Sequence, residues 1–107
     1  MVARNEICWA NLGPPAGRRP VVVLTRDAAL GVLHTVTCAP ITRTSRGIRS
    51  EVEVGRDEGL TQPGAIACDN LLTVRQAALD PKPIGRLSPA KRIELDRGLR
   101  HALDITY

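Results

Sequence analysis

A chain of 107 residues is long enough for one domain and too short for two, so residues 1–107 are predicted to form a single domain. Its 43% hydrophobic content excludes an intrinsically disordered chain, and because aromatic residues are almost absent, Val, Ile, Leu and Ala must build the core. The net charge of +4 comes almost entirely from arginine, which favours a nucleic-acid partner and is equally typical of a GC-rich genome.

The first half of the chain is dominated by short runs with strand character. Its predicted elements are strands over residues 6–12, 21–24 and 35–42, and one helical turn over 27–33 that Asp27 would cap. Four aliphatic residues in succession over 21–24 predict a strand buried on both faces. Pro20 is predicted to mark the entrance of that strand, and Pro40 to lie at an edge or a bulge, because proline lacks a backbone donor.

The second half continues with strands and ends in a helix. Its predicted elements are an exposed loop over 43–49, an alternating strand over 51–54, a polar connection over 55–64 and one bent or two short strands over 65–74. Ser88 followed by Pro89 predicts the start of a C-terminal helix with an apolar stripe. Because a barrel buries short strands without long exposed edges, the pattern favours an α+β domain with a compact β-barrel.

Common catalytic and metal-binding sets are missing from the sequence. His34 and His101 have no metal-ligand spacing, and the odd number of cysteines, without a CxxC pair, argues against a zinc site or a disulfide framework. No apolar run is long enough to cross a bilayer, and no signal-peptide hydrophobic segment precedes residue 20. We therefore expect a cytoplasmic protein with buried thiols, no metal, no cofactor and no membrane partner.

Polar residues instead collect at the ends of the apolar strands, where a rigid scaffold presents them to solvent. These residues are Arg18 and Arg19 before the second strand, Thr42, Thr44 and Arg46 after the third, and Asp69 and Asn70 within the fifth. Each of them taken singly is more typical of a turn or a cap, and together they form a plausible phosphate site.

The ordered set of motifs resembles the MazF/PemK-like toxin family over essentially the whole chain. The matching segments are EICWANLGPP over 6–15, RPVVVL over 19–24, TVTCAPIT over 35–42, EVEV over 51–54, GL at 59–60, DNLLTV over 69–74 and IGRLS over 84–88. The resemblance implies a small SH3-like β-barrel of the MazF/CcdB/Kid type with a C-terminal helix. It also implies a homodimer that cleaves single-stranded RNA and a cognate MazE-like antitoxin whose acidic tail fills the RNA groove.

The resemblance further implies that Arg19 and Thr42 are the catalytic pair, with the remaining strand-end residues contacting RNA. Those RNA-binding candidates are Arg18, Thr44, Arg46, Asp69 and Asn70. In the implied reaction the RNA 2′-hydroxyl attacks its adjacent phosphate and leaves 2′,3′-cyclic phosphate and 5′-hydroxyl ends, so no metal-bound water is required. Because a guanidinium stays protonated in proteins, we assign Arg19 to charge stabilisation and leave the general base unassigned.

Two departures from the family pattern predict an altered base preference. The first loop is shortened to residues 13–18 and lacks the family's Glu, and Asp69–Asn70 stands where the family has an acidic residue followed by Gln. The scarcity of aromatic residues also predicts that phosphate contacts dominate over base stacking. The alternatives are a CcdB-like toxin that poisons gyrase and a non-catalytic RNA-binding barrel.

Overall fold

A computed structural model describes residues 1–106 as one curled antiparallel sheet with a long C-terminal helix. The strands are β1 (Glu6–Asn11), β2 (Arg18–Val23), β3 (Thr35–Thr42), β4 (Glu51–Val54), β5 (Gly64–Ala67), β6 (Leu72–Arg75) and β7 (Gly85–Arg86). The helices are α1 (Asp27–Leu30) and α2 (Pro89–Leu103). The strand order is β4-β5-β3-β2-β1-β7, with β6 paired to β3 off that path, and the sheet forms a half-barrel. This architecture confirms the predicted α+β class with a C-terminal helix.

Strand β2 lies near the centre of the sheet, between β1 and β3, and both of its faces are buried as predicted. Val22 packs into one hydrophobic cluster with Ile7 and Leu95, whereas Val21 and Val23 pack into a second cluster on the opposite face. Side chains alternate across a strand, so a run of aliphatic residues is required where both faces meet a core.

The two prolines of the sheet lie where pairing is incomplete. Pro20 is inside β2, paired with Trp9, so its predicted place at the entrance of the strand is wrong. At that level β2 pairs with β1 alone, because pairing with β3 begins at Val21. Pro40 lies where β3 changes partner, since β6 pairs with β3 up to Cys38 and β5 begins at Ile41. A residue without an N–H is tolerated at both positions because one side of the strand is open.

Helix α2 covers one face of the curled sheet and begins where the sequence predicts. Ser88 caps it by accepting a hydrogen bond from the backbone N–H of Lys91, and Pro89 occupies the first helical position. Leu95 is fully buried, and Gly98 brings the helix close to Cys68 and to strand β4. Within residues 1–106, neither helix has the length and hydrophobicity needed to cross a membrane.

Local details of the remaining elements differ from the sequence predictions. Arg26 rather than Asp27 occupies the N-cap position of helix α1, without a capping hydrogen bond from its side chain, and the Asp27 carboxylate accepts a hydrogen bond from the backbone N–H of Arg4. The segment after β4 breaks at a 3-10 turn over Cys68–Asn70, which confirms two short strands, β5 and β6. Strand β7 has only two residues and is too short for a sequence pattern to indicate.

Candidate functional site

Arg19 and Thr42 lie on neighbouring strands and line the same cavity. The β2–β3 register pairs Val21 with Pro40, and continuing that register by two residues places Arg19 opposite Thr42. Both side chains line a cavity of about 670 Å³ at this end of the sheet. The other walls come from β1, from the end of β3 and from the segment between β4 and β5. The fold therefore unites two residues that are 23 positions apart in the sequence.

The cavity is strongly positive. Arg18, Arg19 and Arg43 all line it, and within residues 1–106 no Asp or Glu side chain lines it. Arg18 is ion-paired with Asp80, which does not line the cavity, so Arg19 and Arg43 supply most of the positive charge that attracts an anion. Guanidinium groups match phosphate geometry in particular, because their planar fork of donors pairs with two oxygens.

Backbone carbonyl groups orient both central side chains. The Nε–H of Arg19 donates a hydrogen bond to the carbonyl of Ala16 at 3.1 Å, in the tight loop that joins β1 to β2. This leaves the terminal amino groups of the guanidinium as the remaining donors toward the cavity. The Thr42 hydroxyl donates to the carbonyl of Thr44 at 2.9 Å. The shortened first loop thus holds Arg19 directly, and the turn after β3 holds Thr42.

Gly64 sets the position of the Thr42 backbone. A Cβ on Gly64 would lie 2.5 Å from the carbonyl oxygen of Thr42 and 3.1 Å from the Cγ2 of Ile41, so only glycine permits this approach of β5 to the end of β3. The next residue, Ala65, pairs with Thr42 in the β3–β5 register. The start of strand β5 therefore borders the cavity and fixes the end of β3 beside it.

Of the RNA-binding candidates only Arg18 lines this cavity. The remaining four, Thr44, Arg46, Asp69 and Asn70, lie outside it. Thr44 contributes its carbonyl to Thr42, and the backbone N–H of Arg46 donates to the carboxylate of Glu51 at 2.8 Å. Asp69 accepts a hydrogen bond from the buried hydroxyl of Ser50, and it lies with Asn70 in the 3-10 turn that packs against α2. Both Asp69 and Asn70 are exposed on that side of the molecule.

Neither histidine lines the cavity, and the thiols are buried elsewhere. His34 lines a different depression near α1, and His101 is exposed on α2. Burial raises the pKa of Cys8 and Cys68 to about 11 and that of Cys38 to about 12. All three therefore stay protonated and unreactive at neutral pH. Among the residues that the structure describes, no group of three or more His, Cys, Asp or Glu could hold a metal ion.

Sequence reasoning missed two residues of the site. Trp9 lies in the predicted first strand, and 37% of the residue is exposed at the cavity, whereas Cys8 and Ala10 are fully buried. Alternation along β1 gave no signal for this exposure, because Ile7 is in phase with Trp9 and is also fully buried. Arg43 directly follows Thr42, and strand-end position alone could have found it.

Comparisons with known proteins agree with this fold. The family model described as "PemK-like, MazF-like toxin of type II toxin-antitoxin system" matches residues 3–103. The chain is similar to Endoribonuclease MazF3 of Mycobacterium tuberculosis, with 38% identity over 89 residues, 83% of this chain and 85% of that protein. It is also similar to the structure of the Mycobacterium tuberculosis toxin MazF-mt6, at a TM-score of 0.87 and 36% identity, over 95% of this chain and 99% of that chain. A mycobacterial endoribonuclease in complex with its cognate antitoxin shares the fold, at a TM-score of 0.88 and 24% identity, over 100% and 99% of the two chains.

Proposed function

Because this chain belongs to the PemK-like, MazF-like toxins of type II toxin–antitoxin systems, we propose that it is an endoribonuclease that cleaves single-stranded RNA. The observation that carries the proposal is the cavity in which three arginines and Thr42 meet without a lining carboxylate among the described residues. Such a cavity suits a phosphodiester. The relatives named endoribonuclease favour RNA as the substrate over a protein target such as gyrase.

In the proposed reaction the RNA supplies its own nucleophile. The 2′-oxygen attacks the adjacent phosphorus, the bond from phosphorus to the 5′-oxygen breaks, and the products are a 2′,3′-cyclic phosphate and a 5′-hydroxyl end. The proton lost by the 2′-hydroxyl is balanced by the proton gained at the leaving 5′-oxygen. Because the attacking oxygen belongs to the substrate, the reaction proceeds without a metal-bound water.

Arg19 and Thr42 have distinct proposed roles in this reaction. Negative charge grows on the non-bridging phosphoryl oxygens in the transition state, and the terminal donors of Arg19 stabilise that charge. The bond from Nε to the Ala16 carbonyl fixes the guanidinium before substrate binds, so little reorganisation is needed. The Thr42 hydroxyl either exchanges its hydrogen bond to the Thr44 carbonyl for one to a phosphate oxygen, or keeps that bond and accepts one from the ribose hydroxyl, which orients it.

The other RNA contacts are proposed in two groups. Arg18 lines the cavity and would contact the nucleotide next to the cleaved phosphate. The outer group consists of Thr44, Arg46, Asp69 and Asn70, which would contact RNA that extends beyond the cavity. The shortened first loop and the Asp69–Asn70 pair are the proposed sources of a base preference unlike that of relatives.

Partners and location follow from the proposed biology. A type II toxin is neutralised by a protein antitoxin, and we propose a MazE-like antitoxin whose acidic tail fills the positive cavity. We also propose a homodimer, for which the exposed Ile93 and Leu103 on α2 offer an apolar surface. The substrate of such a toxin is cellular RNA, which places the protein in the cytoplasm.

The test is cleavage of single-stranded RNA in excess EDTA, with the new ends mapped. We expect 5′-hydroxyl ends at a short sequence. Arg19→Ala should lower the rate by about 100- to 1,000-fold, the usual effect of removing one donor to a developing oxyanion. Arg75→Ala is the matched control, because Arg75 is also an exposed strand arginine but lies away from the cavity, beside His34.

Two results would contradict the proposal. The first is intact RNA across varied sequences when the protein is folded and free of antitoxin, and inhibition of gyrase by the same preparation would then favour the gyrase-poisoning alternative. The second is an Arg19→Ala variant as active as the Arg75→Ala control. RNA that is bound without being cut would identify the non-catalytic RNA-binding barrel.

A further inference from the structure

The only tryptophan in the chain is exposed at the cavity rather than buried in the core. Trp9 lies in the middle of β1, where it pairs with Pro20 of β2, and 37% of its surface is exposed. Ile7, Cys8 and Ala10 are fully buried, and Trp9 is the residue of β1 that lines the cavity. A tryptophan in this position presents a flat apolar surface beside Arg19 and Thr42.

A second planar group lies over the indole. The guanidinium of Arg18 is 5.2 Å from the centre of the Trp9 ring, a distance typical of a cation–π contact. Asp80 holds that guanidinium through an ion pair of 3.3 Å. The backbone N–H of Asp80 donates to the carbonyl of Trp9 at 2.8 Å, so the carboxylate is anchored to the same strand as the indole. Trp9, Arg18 and Asp80 therefore form one connected unit.

The surroundings of this unit fit a nucleotide better than an apolar ligand. The cavity beside it holds three arginines and no lining carboxylate within the described part of the chain. Proteins that bind single-stranded nucleic acid combine a positive groove with aromatic side chains on which bases stack, and guanidinium planes serve the same purpose. Here both kinds of planar group are stacked together at the rim of the site proposed to hold the phosphate.

We propose that Trp9 and Arg18 form a base-stacking platform that holds the base of a nucleotide next to the cleaved phosphate. Asp80 is a positioning residue that keeps Arg18 over the ring. This inference rests on the proposed function, because it assigns a base-binding subsite to the same cavity. It also means that stacking contributes to affinity in a chain with almost no aromatic residues.

Tryptophan fluorescence tests the platform directly, since Trp9 is the only tryptophan in the chain. We titrate the full chain with short 2′-O-methyl RNA oligonucleotides, which lack the nucleophile and cannot be cleaved. We expect a saturable change in Trp9 emission. Trp9→Leu should raise the Kd by about 5- to 150-fold, the range measured for losing one base–aromatic stack, and Trp9→Phe should restore most of the affinity.

The positioning role of Asp80 predicts a different signature. Asp80→Asn keeps the size of the side chain and removes the charge that holds Arg18, so KM for RNA should rise while kcat at saturating RNA stays near that of the unmodified protein. Lys82→Gln is the matched control, because Lys82 is an exposed residue close to Asp80 that does not line the cavity.

The outcomes separate this inference from the proposed function. Arg19→Ala should lose cleavage and keep the fluorescence change. If the unmodified protein cleaves RNA but Trp9 emission is unchanged at saturating oligonucleotide, or if a folded Trp9→Leu variant binds with the unmodified Kd, the platform is refuted while the nuclease stands. If an acidic peptide changes Trp9 emission and the oligonucleotide does not, the unit serves a protein partner and the inference is overturned.

Discussion

Replacing Gly64 by alanine should disable the site by displacing Thr42, since Gly64 borders the cavity and its backbone lies against that of Thr42. The new Cβ would lie 2.5 Å from the carbonyl oxygen of Thr42, whereas ordinary contact begins at 3.4 Å. The end of β3 must therefore move by about 0.9 Å relative to β5. Thr42 is paired with Ala65 and its hydroxyl is tied to Thr44, so the movement carries the hydroxyl with it.

A displacement of this size has a large effect on catalysis. Misplacing a catalytic group by about 1 Å costs on the order of 100-fold in rate, because the near-attack geometry is lost. We expect Gly64→Ala to lower kcat by about that factor. Cleavage of a short RNA carrying the mapped site is measured well below the melting temperature, and binding of a 2′-O-methyl oligonucleotide is measured beside it to show that the cavity still binds RNA.

The matched control is Gly31→Ala, where a Cβ meets no atom within 4 Å and the backbone is already in the right-handed helical region. In a double-mutant cycle, adding Gly64→Ala to Thr42→Val should cost little more than Thr42→Val alone, since both changes act through one hydroxyl. A folded Gly64→Ala variant that cleaves as fast as Gly31→Ala would refute the argument, and so would full additivity with Thr42→Val.

Three further predictions concern stability, each measured by urea unfolding. Gly98→Leu should lower the free energy of unfolding by about 1–3 kcal/mol through overpacking, because a Cβ alone would lie 3.2 Å from the sulfur of Cys68. The control is Arg97→Leu at the exposed neighbouring position, which should change that free energy by less than about 0.5 kcal/mol. Equal effects of the two variants would contradict this packing. Ser88→Ala should lower the free energy of unfolding by about 1 kcal/mol, because it removes the cap of α2, and Ser88→Asp should restore that stability. A Ser88→Ala variant as stable as the unmodified protein would argue against the cap. Burial raises the pKa of Cys38 from 9.0 to about 12, so the folded state keeps a proton that the unfolded state loses, and this thiol should lower the stability by at most about 1.4 kcal/mol per pH unit as pH rises from 9 toward 12, beside the contributions of Cys8 and Cys68. Cys38→Ala should make the slope less steep by that amount, and an unchanged slope would contradict the assignment.

Local sequence patterns predict most of the secondary structure of this protein. The Ser88–Pro89 pair predicts the start of α2, and the aliphatic run over 21–24 predicts a strand with two buried faces, both of which the structure confirms. These predictions succeed because capping and side-chain alternation depend on residues a few positions apart. The predicted position of Pro20 was wrong because a strand tolerates a proline wherever one of its sides is unpaired. Which positions of a strand are unpaired depends on the neighbouring strands, and the local sequence does not contain that information.

Some residues of the site could likewise be found from the sequence, whereas others depend on contacts between distant segments. The ordered motifs led to the family and to Arg19 and Thr42, and these two residues indeed line one cavity. Local patterns could not show that Asp69 would accept a hydrogen bond from Ser50 near α2, away from that cavity. The 3-10 turn that follows β5 determines where the Asp69 side chain lies. Nor could they show that Asp80 would hold Arg18, a contact across 62 residues.

Trp9 shows most clearly what only the tertiary structure decided. The sequence by itself determined a β-strand around Trp9, a chain poor in aromatic residues and a toxin-family resemblance. It also indicated that phosphate contacts dominate over base stacking, because aromatic residues are scarce. The curl of the sheet, the register that brings Arg18 beside Trp9, and the return of the chain at Asp80 instead present that indole to the cavity. These are non-local pairings, and the face of a strand that meets solvent is fixed only when its partners are in place.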